Sequence, residues 1–115
     1  MSAIVLLTNP IDPNETARLR EHAQVRVASS QDQQVLAKEI READVLIVRS
    51  PVAAAVLAHA DRLRGIVRHG AGVDIVPVAE ATARAIPVSN APGANAVAVA
   101  EYVVGQVLLL SRRLH

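Results

Sequence analysis

A chain of 115 residues holds one domain and can bury roughly two-thirds of the surface it exposes when unfolded. With 51% hydrophobic residues but one Tyr and no Phe or Trp, its core must be built from Ala, Val, Leu and Ile. A formal charge of +1 gives no polyanion steering, the scarcity of aromatics removes base-stacking platforms, and the absence of Cys excludes disulfides, thiol chemistry and a Cys zinc site.

In chain order, Ala3–Leu7 is a short continuous apolar run, which predicts a strand buried on both faces. Thr8 to Pro13 is turn-rich, and Pro13 or Asn14 opens a helix to about His22, with Glu15 in the first turn where the dipole favours an anion. Val25 and Val27 alternate with polar neighbours, as expected of a half-exposed strand at or near an edge. Asp32 caps a helix to about Glu42, whose Val35, Leu36 and Ile40 form an apolar stripe. Residues 43–48 read as the clearest buried strand, ending at Arg49-Ser50-Pro51. A short Ala-rich helix over 54–60, a strand over 65–68, a helix over 76–84 and a strand over 86–89 follow. Asn95 caps a long helix to about Arg113.

Strict strand–helix alternation with short connections predicts a doubly wound parallel sheet. With five strands the expected order is flavodoxin-like, 2-1-3-4-5, with helices on both faces. The last helix is apolar nearly all round (Val97, Val99, Val103, Val104, Val107, Leu108, Leu109, Leu110). The sheet is expected to cover one side of it, and another domain or subunit the rest. Glu101 and Gln106 interrupt its apolar run, which is shorter than the about 20 residues a membrane span requires. The N-terminus carries no basic leader or cleavage site, so a soluble cytoplasmic protein is expected.

The chemistry concentrates where strands end. Arg49 and Arg68 follow apolar strands, well placed for bidentate recognition of carboxylate or phosphate; the plainer alternative is that each pairs with an Asp or Glu at the rim. Gly70-Ala71-Gly72 begins like a dinucleotide fingerprint, but Ile75 occupies the third glycine position. The next strand ends in Ser89-Asn90, with no acid to hold a ribose hydroxyl. The turn reads instead as backbone N–H groups available to a carboxylate. His69 has no local carboxylate partner, so no general base is assigned. His22, His59 and His115 are scattered and imply no metal site, and Glu101 reads as a solvated or cap-pairing helix carboxylate.

Val48-Arg49-Ser50, the run from Arg68 to Asp74, Val88 to Asn95 and Val99-Ala100-Glu101 together resemble the N-terminal segment of the D-2-hydroxyacid dehydrogenases, the phosphoglycerate dehydrogenase branch in particular. The likeness spans essentially the whole chain. It implies a substrate lobe over residues 1–94 and a helix over 95–115 crossing toward an NAD domain that this sequence does not contain. It also implies that Arg49, Ser50 and Arg68 neighbour the substrate, and that the Gly70, Ala71 and Gly72 backbone meets its carboxylate. Ala71 and Asn95 would lie toward NAD, with Asn90 and Asn95 on the interdomain side. The family's catalytic Arg, Glu and His have no counterpart here, so the expected partners are a small 2-hydroxy or 2-keto acid, the absent NAD domain and a second copy through the last helix. The chain alone is expected to bind no NAD and to transfer no hydride.

Two rivals remain at this stage. A free-standing flavodoxin-like module would need either acidic strand ends for phospho-reception or a hydroxyl-rich loop after the first strand for a flavin phosphate. The chain offers Thr8-Asn9, Arg49-Ser50 and Asn9-Pro10-Ile11-Asp12-Pro13. An engineered folding fragment has the same sequence signature as a natural one.

Overall fold

The computed structural model describes residues 2–112. Five strands, β1 (Ala3–Leu7), β2 (Ala23–Val27), β3 (Val45–Val48), β4 (Gly65–Arg68) and β5 (Val88–Ser89), form one sheet in the order β2-β1-β3-β4-β5, all neighbours parallel. The helices are α1 (Pro13–Arg20), α2 (Gln33–Glu39), α3 (Ala54–Leu57), α4 (Val78–Ala83) and α5 (Ala96–Arg112). The elements expected from sequence are all present with trimmed ends. Helix 32–42 divides into α2 and a 3-10 turn over Ile40–Glu42. The expected end of α5 at Arg113, and His115, lie outside the described residues.

Local chemistry sets the boundaries. Asp12 caps α1, its carboxylate accepting from the N–H groups of Asn14 and Glu15 at 2.8 and 3.3 Å, and Pro13 takes the first helical position. Asp32 caps α2 through Gln34 N–H. Helix α4 ends in a Schellman arrangement: Ile86 N–H donates to Ala81 O at 2.8 Å and Ala85 N–H to Thr82 O at 3.0 Å. That closure places Ala85 at φ 56°, a left-handed conformation usually given to glycine.

The core lies on one face of the sheet. Leu6, Leu46 and Ile66 stand in register across β1, β3 and β4, and with Val48 they pack against Leu36, Ile40, Val56, Leu57 and Ala81 from α2, the following turn, α3 and α4. The opposite face carries Leu7, Ile47, Val67 and Ser89, also in register, and its cover thins across the sheet. Leu7 is fully buried, Ile47 is partly exposed, Val67 is 38% exposed and Ser89 is exposed. The helices connecting β2 to β3, β3 to β4 and β4 to β5 share the core face, whereas α1, on the one leftward connection, serves the other.

Helix α5 departs from the expectation that the sheet covers one of its sides. None of its residues is buried, and Val97, Tyr102 and Leu110 are 65–70% exposed. The helix follows a turn over 91–94, where Ala94 N–H donates to Ala91 O at 3.1 Å and Gly93 has φ 75°, and it stands clear of the sheet. No helix of the described residues is long and apolar enough to cross a membrane.

At the amino edge of the sheet Asp44, nearly buried, splices three strands. Its carboxylate accepts from Ile4 N–H at 2.8 Å, its own N–H donates to Ile4 O at 2.8 Å, and its carbonyl accepts from Arg64 N–H at 2.7 Å. The Ile4 N–H, helped by the nearby Arg62 and Arg64 charges and opposed by desolvation, holds the Asp44 carboxyl below the ordinary aspartate range.

Because the Asp44 carboxyl is lowered in the folded state, its contribution to stability is complete above the ordinary aspartate range and is lost as the pH falls through its depressed folded value. Urea unfolding of Asp44→Asn against pH should therefore show a shallower acid limb than the parent chain, and an identical acid limb counts against this assignment. Ala85→Gly relieves the left-handed strain and should stabilise the chain by about 0.5–1 kcal/mol in the same assay.

Candidate functional site

Because every strand is parallel, the loops after β1, β3, β4 and β5 emerge at one edge. The reversal of chain direction between β1 and β3 opens a crevice there. Arg49 and Ser50 leave β3 at this point, Arg68 to Gly72 leave β4, and Asn90 follows β5, so the structure brings together the strand-end residues singled out from sequence.

Arg49 is exposed, and its guanidinium donates to Pro10 O in the loop after β1. Its backbone N–H donates to Thr8 Oγ1 at 2.8 Å. Ser50 Oγ bonds Gln31 Oε1. Arg68 folds back over its own loop: Nε donates to Gly72 O at 2.8 Å, and one terminal nitrogen donates to His69 O at 2.6 Å and to Val48 O at 3.2 Å. Neither Arg49 nor Arg68 pairs with a carboxylate among the described residues; the ion pairs found involve Arg18, Arg26, Arg62 and Arg84. The plain alternative of rim ion pairs therefore does not describe these two arginines.

The Gly70–Gly72 turn is braced from both sides. Arg68 grips it from β4, while Asn90 Nδ2 donates to Ala71 O at 2.6 Å and Ala91 N–H donates to Gly70 O at 2.9 Å. Gly70 sits at φ 148°, and a Cβ there would lie 3.1 Å from the Arg68 guanidinium carbon. No described residue accepts from the N–H groups of Ala71 and Gly72. Two unclaimed backbone donors beside an uncompensated guanidinium suit a small carboxylate.

The same turn does not suit a dinucleotide pyrophosphate. In that arrangement a helix N-terminus starts at the glycines and aims its dipole at the phosphates. Here residues 73–77 intervene before α4 begins at Val78. Ile75 fills the third glycine position, and β5 ends at Ser89 with Asn90 beyond it. The described residues form this single sheet.

Asn95 stands at the foot of α5, its carbonyl accepting from Val99 N–H at 3.0 Å. Glu101 is exposed on that helix. His22 and His69 meet across a groove of about 520 Å³ lined also by Ile11, Asp12, Glu15 and Leu19. That groove lies beside α1, and of the strand-end residues only His69 reaches it. His59 lies elsewhere, its Nδ1 3.2 Å from Arg41. Sequence reasoning missed Thr8, Gln31 and Gln33, the last of which holds the loop after β3 through Ala53 N–H at 2.7 Å and Pro51 O at 3.2 Å.

Gly70→Ala should destabilise the chain by about 1–3 kcal/mol, since a side chain at this φ is strained even where the guanidinium yields. Denaturant unfolding of Gly70→Ala and of Gly70→Ala/Arg68→Ala separates the two contributions; a neutral Gly70→Ala contradicts the described turn.

Residues 5–106 match the family described as D-isomer specific 2-hydroxyacid dehydrogenase, catalytic domain. The chain is 38% identical over 112 residues to a D-3-phosphoglycerate dehydrogenase of Methanocaldococcus jannaschii, covering 96% of this chain and 21% of that protein. It is 35% identical over 113 residues to a hydroxypyruvate reductase of Thermotoga maritima, covering 96% and 37%. Among solved structures, a Pyrococcus horikoshii OT3 protein superposes over 100% of this chain and 35% of its own with a TM-score of 0.85 at 31% identity. The NAD+-bound 3-phosphoglycerate dehydrogenase of Entamoeba histolytica shares the fold with a TM-score of 0.77 at 24% identity, over 95% of this chain and 39% of that one. The chain thus spans about a fifth to two-fifths of the proteins it matches. With the match extending over most of its length and the strand-end loops on one edge, this chain belongs to the D-isomer specific 2-hydroxyacid dehydrogenase family, within its catalytic domain.

Proposed function

We propose that this chain is the substrate-binding lobe of an NAD-dependent D-2-hydroxyacid dehydrogenase of the phosphoglycerate dehydrogenase kind. One observation carries the reading: at the edge where Arg49 and Ser50 leave β3, no described residue accepts from the Ala71 and Gly72 N–H groups, and no carboxylate among the described residues pairs with Arg49 or Arg68. Such a corner takes the carboxylate of a small 2-hydroxy or 2-keto acid, with Arg49 and the loop N–H groups as donors. Arg68 shapes the loop from behind and adds positive potential to it.

In this reading the described residues up to 94 form the lobe, and α5 (Ala96–Arg112) crosses toward a nucleotide domain. NAD, bound by that domain, would supply the hydride acceptor, with Ala71 toward its nicotinamide end and Asn95 on the interdomain side. The chain alone contributes the grip and holds no group placed to take the alcohol proton. Val97, Val99, Val103, Val104, Val107, Leu108 and Leu110 of α5 are all exposed, and an apolar helix left open in this way favours association with a second copy along it. The lobe works in the cytoplasm in this reading. The strand ends Thr8-Asn9 and Arg49-Ser50 weigh against the free-standing signalling alternative, since they lack the acidic cluster it needs.

Titration of the chain with D-glycerate, followed by amide NMR, should give weak saturable binding. Arg49→Ala should weaken it at least tenfold, about 1.4 kcal/mol, while Arg84→Ala, at the cap just after α4, should not. No NAD binding is expected, and tight NAD affinity contradicts the account of the glycine turn. Sedimentation at rising concentration should show self-association that Leu110→Glu abolishes; a clean monomer throughout contradicts the role given to α5.

A further inference from the structure

The strongest arrangement outside the residues assigned so far lies beneath Arg49 and Ser50. Thr8 follows β1 directly, is 1% exposed, and spends its whole hydrogen-bonding capacity. A hydroxyl has one proton and two lone pairs. The Thr8 proton goes to Asn9 Oδ1 at 2.8 Å, and its oxygen accepts from Arg49 N–H at 2.8 Å and Ser50 N–H at 3.3 Å. Strand β3 ends at Val48, so these two N–H groups have lost the sheet ladder and take the Thr8 hydroxyl in its place. The backbone of Thr8 is itself fixed, its N–H donating to Ile47 O at 3.0 Å and its carbonyl accepting from Gln31 Nε2 at 2.7 Å. The Gln31 amide is thereby oriented with its nitrogen toward Thr8 and its oxygen toward Ser50, whose hydroxyl donates to it.

Resting on the reading of this edge as a carboxylate site, we propose that Thr8, assisted by Gln31, is the positioning residue of that site. It sets the backbone of Arg49 and Ser50 where β3 gives out, so that the guanidinium departs at a defined angle and Ser50 is held by both backbone and side chain. Thr8 touches no ligand in this arrangement. It acts through the two residues it orders, and a buried side chain with every bond committed leaves them little freedom.

The test uses the 115-residue chain with D-glycerate as probe, read by NMR titration and amide hydrogen exchange. Thr8→Val keeps the shape and removes the hydroxyl. It should weaken binding about tenfold and speed exchange at Arg49 and Ser50 at least tenfold, leaving the Gly70–Gly72 amides as they were. Thr8→Ser restores the hydroxyl and should return affinity to within about twofold of the parent. Should the valine variant fail to fold, Gln31→Met at an exposed position reads the same tie, with about threefold weaker binding and faster exchange at Ser50. Parent-like binding and exchange in Thr8→Val, or in Gln31→Met where that variant carries the test, overturns this proposal alone. Absence of saturable binding by the parent chain overturns the carboxylate site and this proposal with it.

Discussion

The parallel pairing of β1 with β3 at the centre of the sheet is the constraint from which the rest follows. Leu6 opposite Leu46 and Leu7 opposite Ile47 set the register, and a slip by one residue would exchange the core face for the open one. From this pair the chain departs in opposite directions, to β2 on one side and to β4 and β5 on the other. The loops after β1 and β3 therefore diverge, and the space between them is where a small ligand enters. The aliphatic core holds the strands, and the strands aim the loops.

The two edges of the sheet divide the work. At the amino edge Asp44 ties β1, β3 and β4 with backbone bonds to Ile4 and Arg64, a closed arrangement of nearly buried groups. At the carboxyl edge Thr8 makes the equivalent splice, but its bonds go to residues that have already left the sheet. Beyond it the polar groups open outward: Arg49 is exposed, the Ala71 and Gly72 N–H groups have no acceptor among the described residues, and Asn90 and Arg68 brace the loop without closing it. Buried donors are ordinarily satisfied, and partly exposed donors left unclaimed at a strand edge are what a ligand finds. The thinning cover from Leu7 to Val67 and the uncovered helix α5 show the same asymmetry in apolar form.

Much of this was legible in the sequence. Runs such as 43–48 and 65–68, with turn residues between them, dictate alternating strands and helices, and the order follows from right-handed crossovers. The strand-end positions of Arg49, Arg68 and Gly70 were equally plain, because parallel strands send all such ends to one edge. What the guanidiniums do there was not. Arg68 bends back because three carbonyls of its own loop and of β3 converge on it, and that convergence is a property of the folded turn. The role of Thr8 is not legible locally, since the two N–H groups its hydroxyl accepts from lie 41 and 42 residues away. The exposure of α5 is not legible in its sequence, because hydrophobicity tells that a helix needs cover and not which surface provides it.

The most direct measurement of the central claim, that the carboxyl edge grips a small carboxylate, is a crystal structure of this chain grown with oxalate. The account predicts one carboxylate of oxalate against the Ala71 and Gly72 N–H groups and the Arg49 guanidinium, with Thr8 still bonded to Arg49 and Ser50. Oxalate bound in the groove beside α1, or a crevice left empty at saturating oxalate, would contradict it.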